Sequence, residues 1–143
     1  MGNRAVITTA ENYKRNGVGI YLHWNGGRDS VEAFLRYAQL RKLRPGSYGW
    51  ARLVQIIANY FGGNLSIGID KVRNLDCNNW DNGVYLIDDG FNIVGRRFGP
   101  SVEQNEYNLE EMLRRIDIAQ PEADRIFKAD GSLDEAKLAR FGI

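Results

Sequence analysis

The sequence predicts an α+β fold: a mainly antiparallel sheet with two central helices, a C-terminal helix and a short helical tail. Three observations predict it. Short runs of period-two alternation, Val18–Trp24 and Leu65–Asp70, bracket two consecutive stretches of helical spacing. The turn-prone tripeptide Asp88-Asp89-Gly90 separates two further apolar runs in the manner of a hairpin. A capped amphipathic stretch then follows near the C-terminus. The resulting order, β-β-α-α-β-β-β-α plus tail, groups strands and helices rather than alternating them strictly, which favours antiparallel pairing.

The first strand is Ala5-Val6-Ile7-Thr8-Thr9, short and rich in β-branched residues. Polar residues 10–16 (AENYKRN) read as a loop. In the second strand Val18, Ile20, Leu22 and Trp24 alternate with Gly19, Tyr21 and His23, and the first set is expected to face the core. A helix is predicted over 29–43, with Asp29 as N-cap and Glu32 three residues on completing a capping box. Val31, Phe34, Leu35 and Ala38 form its apolar stripe, and Arg44-Pro45-Gly46 stops it. A second helix is predicted over 48–61 from Trp50, Leu53, Val54, Ile57 and Phe61, closed by Gly62-Gly63.

Leu65, Ile67 and Ile69 mark a third strand, and 74–83 (NLDCNNWDNG) a polar loop. Val84–Ile87 and Phe91–Phe98 are the arms of the hairpin. The last main helix is predicted over 108–119, with Asn108 as N-cap, Glu111 at the third position and Leu109, Met112, Leu113 and Ile116 buried. Pro121 ends it. One α+β domain is therefore expected over 1–121. Residues 122–143 form an extension with a turn at Asp130-Gly131-Ser132 and a short amphipathic segment, Leu133–Phe141, packing on the body or on a neighbouring subunit.

Composition narrows the function classes. With 143 residues, 43% hydrophobic and 26% charged, the chain has the make-up of a globular domain. No apolar run approaches a membrane span, and MGNRAVITT has neither the apolar stretch of a secretory signal nor, with Val6 at position six, a good myristoylation pattern. One cysteine, Cys77, excludes an internal disulfide and fits a reducing compartment. The net charge of +1 argues against a broad grip on duplex nucleic acid. Yet 14 of the 19 basic residues are arginine, whose planar fork suits bidentate contact with phosphate or carboxylate.

Catalytic and metal motifs are sparse. One His and one Cys supply no zinc-type ligand spacing, and Asp70, Asp76 and Asp81 lack the pattern of a calcium loop. His23 reads as a hydrogen-bonded structural residue, Cys77 as an inert thiol, and neither a nucleophile elbow nor a Walker sequence occurs. No cofactor or metal is expected, and the chain reads as a binder rather than an enzyme.

Three groups could hold an anionic ligand. At the strand-to-helix junction, Trp24, Asn25, Gly26, Gly27 and Arg28 combine glycines that let backbone N–H groups approach a phosphate with a helix N-terminus and a guanidinium. The same residues are equally those of a plain turn, because Asp29 and Glu32 already place negative charge there. On the hairpin, Phe91, Asn92, Arg96, Arg97 and Phe98 offer stacking surfaces and an amide edge suited to a purine. Arg96 and Arg97, being adjacent on a strand, must point to opposite faces. On the last helix, Arg114 and Arg115 could reach a ligand or a second subunit, although Glu111 is placed to pair with Arg115.

The stretches GVGIYLHWNGGRDSVEAFLRY, YGWARLVQIIANYFGG, NNWDNGVYLI and LEEMLRRI together resemble the first Thoeris anti-defence family of phage proteins, across roughly residues 1–121. The resemblance implies a non-enzymatic homodimer or higher homo-oligomer in the cytoplasm of the infected bacterium. Such a protein would sequester a cyclic ADP-ribose isomer made by an immune TIR enzyme, in pockets at a subunit interface, and some relatives also bind cyclic oligonucleotides. The alternatives are an inhibitor that binds a bacterial defence nuclease, an enzyme that degrades a cyclic nucleotide, and a structural phage protein.

Overall fold

A computed structural model describes residues 3–64 and 66–141. The myristoylation reading at Met1-Gly2 and the strand position of Leu65 lie outside the described residues. The chain forms β1 (Ala5–Thr9), α1 (Ala10–Arg15), β2 (Val18–Leu22), α2 (Arg28–Leu40), α3 (Ser47–Phe61), β3 (Ile67–Lys71), β4 (Val84–Ile87), β5 (Ile93–Arg97), α4 (Leu109–Ala119) and α5 (Glu135–Phe141). Short 3₁₀ turns occupy Gly62–Asn64, Val72–Asn74 and Glu122–Asp124.

The strands make one sheet in the order β3-β2-β1-β4-β5. Three of the four pairings are antiparallel, and β1 runs parallel to β4 with Val6 beside Val84. The expected α+β fold with a mainly antiparallel sheet is thus what the chain adopts. Because β1 is central, both of its faces are covered. Ala5 and Ile7 enter the main core with Ile20, Leu22, Tyr85 and Ile87, beneath residues of α2, α3 and α4. Val6 points the other way, into a smaller cluster with Val84 and Leu86, against which Tyr13 of α1, Tyr21, Leu75 and Cys77 pack. That two-sided burial explains a run, AVI, with no polar alternation.

Several local expectations are corrected. Residues 10–15 are helical, not a loop: Thr9 caps α1 by accepting from the Asn12 N–H at 3.0 Å, and Asn16 closes it in the left-handed region at φ 56°. The second strand ends at Leu22, so Trp24 lies beyond the sheet and is 44% exposed, and Val18 at the other end is exposed as well. The hairpin turn includes Phe91, which has φ 63° and precedes β5. Asp88 organises that turn, its Oδ1 accepting from the N–H groups of Gly90 (3.0 Å) and Asn92 (2.8 Å). Gly62 closes α3 at φ 61°, and Asn108 caps α4 by accepting from the N–H groups of Glu110 and Glu111, both as the sequence predicts.

The tail packs on the body. Ile126 and Leu138 are buried in the main core, and Phe127 bridges to Leu133 across the Asp130–Ser132 turn. Asp117 of α4, 3% exposed, holds it in place. Its Oδ1 accepts from the Ile126 N–H at 2.7 Å and from the Tyr37 hydroxyl, and its Oδ2 accepts from the Phe127 N–H at 3.2 Å.

Candidate functional site

The junction between β2 and α2 is built differently from the capping box that the sequence suggests. Gly27, not Asp29, is the N-cap, and α2 begins at Arg28. Asp29 instead reaches a distant loop, its Oδ2 accepting from the N–H groups of Glu106 and Tyr107, the latter at 2.7 Å. Glu32 turns to Arg28, whose Nε donates to its carboxylate at 2.7 Å. That bond, more than the neighbouring charges, raises the already high pKa of Arg28.

Gly26 and Gly27 do not form an open phosphate cradle. Both are buried. The Gly26 N–H donates to the Asn3 carbonyl at 2.8 Å, and its carbonyl accepts from the Tyr85 hydroxyl at 2.7 Å. A Cβ at Gly26 would lie 2.5 Å from that Asn3 oxygen, and one at Gly27 would lie 3.1 Å from Gln104 Cβ. Close packing of backbone therefore requires glycine at position 26, whereas at Gly27 only the side chains of Asp29 and Gln104 crowd the site. Asn25, at φ 56°, directs its amide to Ser30 Oγ at 3.3 Å, while exposed Trp24 stacks edge-on against His23. His23 is in turn hydrogen-bonded to the Tyr21 hydroxyl at 2.9 Å.

The hairpin residues are divided among separate places. Arg96 is largely buried and fully engaged: Nη1 pairs with Glu103, Nη2 donates to the Asn82 carbonyl at 2.6 Å, and the guanidinium lies 3.9 Å over the Tyr85 ring. These contacts tie β5 to the loop that carries Glu103. Arg97 points to the opposite face, 5.7 Å over the Tyr13 ring, as strand alternation requires. Phe98 borders a third region, beside Tyr13 and Cys77. Cys77 is partly buried, and that burial raises its thiol pKa, followed by the charge of Asp76. On α4 the two arginines diverge: Arg115 pairs with Glu111 at 3.1 Å, and Arg114 lies against the Gly131 turn of the tail.

One groove nevertheless unites members of the first two groups. Between α2 and the hairpin turn, Arg28 and Asn92 line a cavity of about 350 Å³ together with Arg36 and Gln39. Buried Leu35 and Phe91, with Ile93, make its apolar floor. Phe91 is a floor residue rather than a free stacking platform. Gln39 Nε2 donates to Asn92 Oδ1 at 2.8 Å and to the Gly90 carbonyl at 2.9 Å, while Asn92 Nδ2 faces Asp88. The groove thus has Arg28, Glu32, Arg36 and Gln39 along its α2 wall, Asn92 on the hairpin side and an apolar base, a volume and a lining suited to a small ligand.

Arg36 and Gln39 were not legible as site residues, although the spacing Arg28, Glu32, Leu35, Arg36, Gln39 places all five on one helical stripe. Among the described residues no three of His, Cys, Asp and Glu gather into a metal-binding group, and no helix is long and apolar enough to cross a membrane. No family model, curated protein or solved structure matches the chain.

Proposed function

We propose that this protein captures a small nucleotide signal of the cyclic ADP-ribose type and sequesters it without cleaving it. The observation that carries the reading is the groove in which Arg28, Arg36 and Gln39 of α2 and Asn92 of the hairpin turn line a cavity over an apolar floor. Guanidinium forks suit a pyrophosphate, amides suit a base edge, and the floor suits the flat face of a purine. The resemblance to the phage anti-defence family supports the same assignment and adds its setting, the cytoplasm of an infected bacterium and a homo-oligomer. Leu109, half-exposed at the groove's rim, is the kind of apolar surface that a second copy would cover.

Sequestration demands tight binding, because the protein must outcompete the effector; a nanomolar dissociation constant corresponds to about −12 kcal/mol. Calorimetry with cyclic ADP-ribose isomers, followed by heat release and mass spectrometry of the ligand, tests the reading. Saturable binding and recovery of intact ligand are expected. Recovery of an altered ligand would identify an enzyme instead. Failure of every isomer to bind, with capture of a host nuclease in its place, would favour the protein-inhibitor reading.

A further inference from the structure

A second cleft, of about 510 Å³, opens where the α2–α3 turn meets the C-terminal helix. Among the described residues its lining holds the cations Arg41, Lys42, Arg52 and Arg140 and one carboxylate, Asp124. Such one-sided charge is unexpected in a chain whose net charge is only +1, because like charges brought together in a concave wall repel and raise the local potential.

The most telling residue is Arg41. It is 9% exposed, and its guanidinium lies 4.6 Å over the Phe141 ring. Among the described residues its buried Nε has no hydrogen-bond partner. Buried donors in native proteins are satisfied as a rule, and an unpartnered one marks a place that an acceptor can fill. The surroundings favour an anion as that acceptor. The first turn of α3 begins at the same cleft, with Tyr48 and Arg52 one helical turn apart on its wall. That helix has Gly46 at its N-cap, no side-chain cap and no acidic residue in its first turn. Its partial positive charge is therefore not offset locally. Lys42, at φ 56°, is held in the left-handed region, which turns the chain sharply and crowds the cations of the loop together.

We propose that this cleft is a binding site for a compact polyanion carrying two or more adjacent phosphate groups, with the buried Arg41 as its anchor. Two adjacent phosphates can engage more than one guanidinium fork at once, whereas a single phosphate engages fewer of them. The site is independent of the groove beside Asn92, which lies on other residues of α2. It also depends on the tail, since Arg140 and Phe141 form one side.

Calorimetry with sodium pyrophosphate and with orthophosphate, at constant ionic strength and without divalent metal, tests the proposal on the full chain. One pyrophosphate site per chain that depends on Arg52 is expected, binding at least tenfold more tightly than orthophosphate. Arg41→Gln is expected to weaken pyrophosphate binding tenfold or more, the scale of one charge-assisted hydrogen bond. Arg52→Gln, at an exposed position, is expected to weaken it several-fold with unchanged thermal stability, and decides the matter if the Arg41 variant does not fold. Arg15→Gln, at an exposed position of α1 away from both clefts, should leave it unaltered. Absence of saturable pyrophosphate binding, or binding that the Arg52 variant leaves intact, would overturn the proposal.

Discussion

The Tyr37 hydroxyl donates to Asp117 Oδ1 at 2.5 Å, joining α2 to α4 in the buried interior. Burial is the main reason that the phenol's pKa is raised far above its ordinary value, followed by the hydrogen bond to Asp117 and that residue's charge. Tyr37→Phe is expected to cost about 1.5–3 kcal/mol, as for a hydrogen bond to a charged group. Asp117→Ala should cost more, because it also strands the N–H groups of Ile126 and Phe127. Urea unfolding of both variants checks the order.

Leu138 is 3% exposed in the main core. Leu138→Ala should therefore destabilise the whole domain by about 2–5 kcal/mol, the range for emptying a buried leucine site. A single cooperative transition with a lowered midpoint is the expected result. Loss of α5 alone, with the rest unaffected, would show that the tail is not coupled to the core.

Gly26→Ala and Gly63→Ala should differ in sign. At Gly26 a methyl meets the Asn3 carbonyl and Ala5, so a loss of about 1–3 kcal/mol is expected. At Gly63 a Cβ meets nothing within 4 Å, and the reduced freedom of the unfolded chain should leave the variant as stable or up to about 1 kcal/mol more so. Thermal unfolding of the pair distinguishes them.

Asp81 supplies an acid-sensitive tie. Burial on its own would raise its pKa, but hydrogen bonds from the Arg4 side chain and backbone N–H, with that residue's charge, bring it below the ordinary value. The folded pKa is depressed, so the stabilisation is complete above the unfolded value of about 4 and is lost as pH falls through the folded value. Asp81→Asn should flatten stability against pH below about 4 while lowering it at neutral pH. Denaturant midpoints measured between pH 2 and pH 7 provide the check.

Under the proposed function, Glu32 competes with the ligand for Arg28. The pair is partly exposed and contributes only a few tenths of a kcal/mol. Glu32→Gln should consequently tighten nucleotide binding several-fold, by freeing Arg28 and removing a negative charge from the groove, at little cost in stability. Arg28→Gln should weaken it. Titration calorimetry of both variants tests the assignment.

Much of the architecture was legible because its signals are local. The alternation through Ile20 and Leu22, the cap at Asn108 and the Asp88-Asp89-Gly90 turn each act within a few residues. Helix α1 was missed since AENYKR has no apolar stripe, although Thr9 three residues before Asn12 carried a capping signal. Asp29 misled for the opposite reason. It has the chemistry of an N-cap, but its partners at Glu106 and Tyr107 lie 77 and 78 positions away. The site was legible in part: Arg28 and Asn92 meet, whereas Arg96 is consumed by Glu103 and the Asn82 carbonyl. Arg41 could not be found from sequence, because its unpartnered Nε arises from packing beneath Phe141 and not from any local pattern.

The parallel pairing of β1 with β4 has a consequence for how the chain is made. The strand synthesised first occupies the centre of the sheet, yet one of its two neighbours emerges more than seventy residues later. Until then an apolar strand has an open edge on that side, and closing the gap requires a long-range contact that slows folding. Ribosome-bound chains stalled before Val84 should bind chaperones, and those stalled after β5 has cleared the exit tunnel should be released from them.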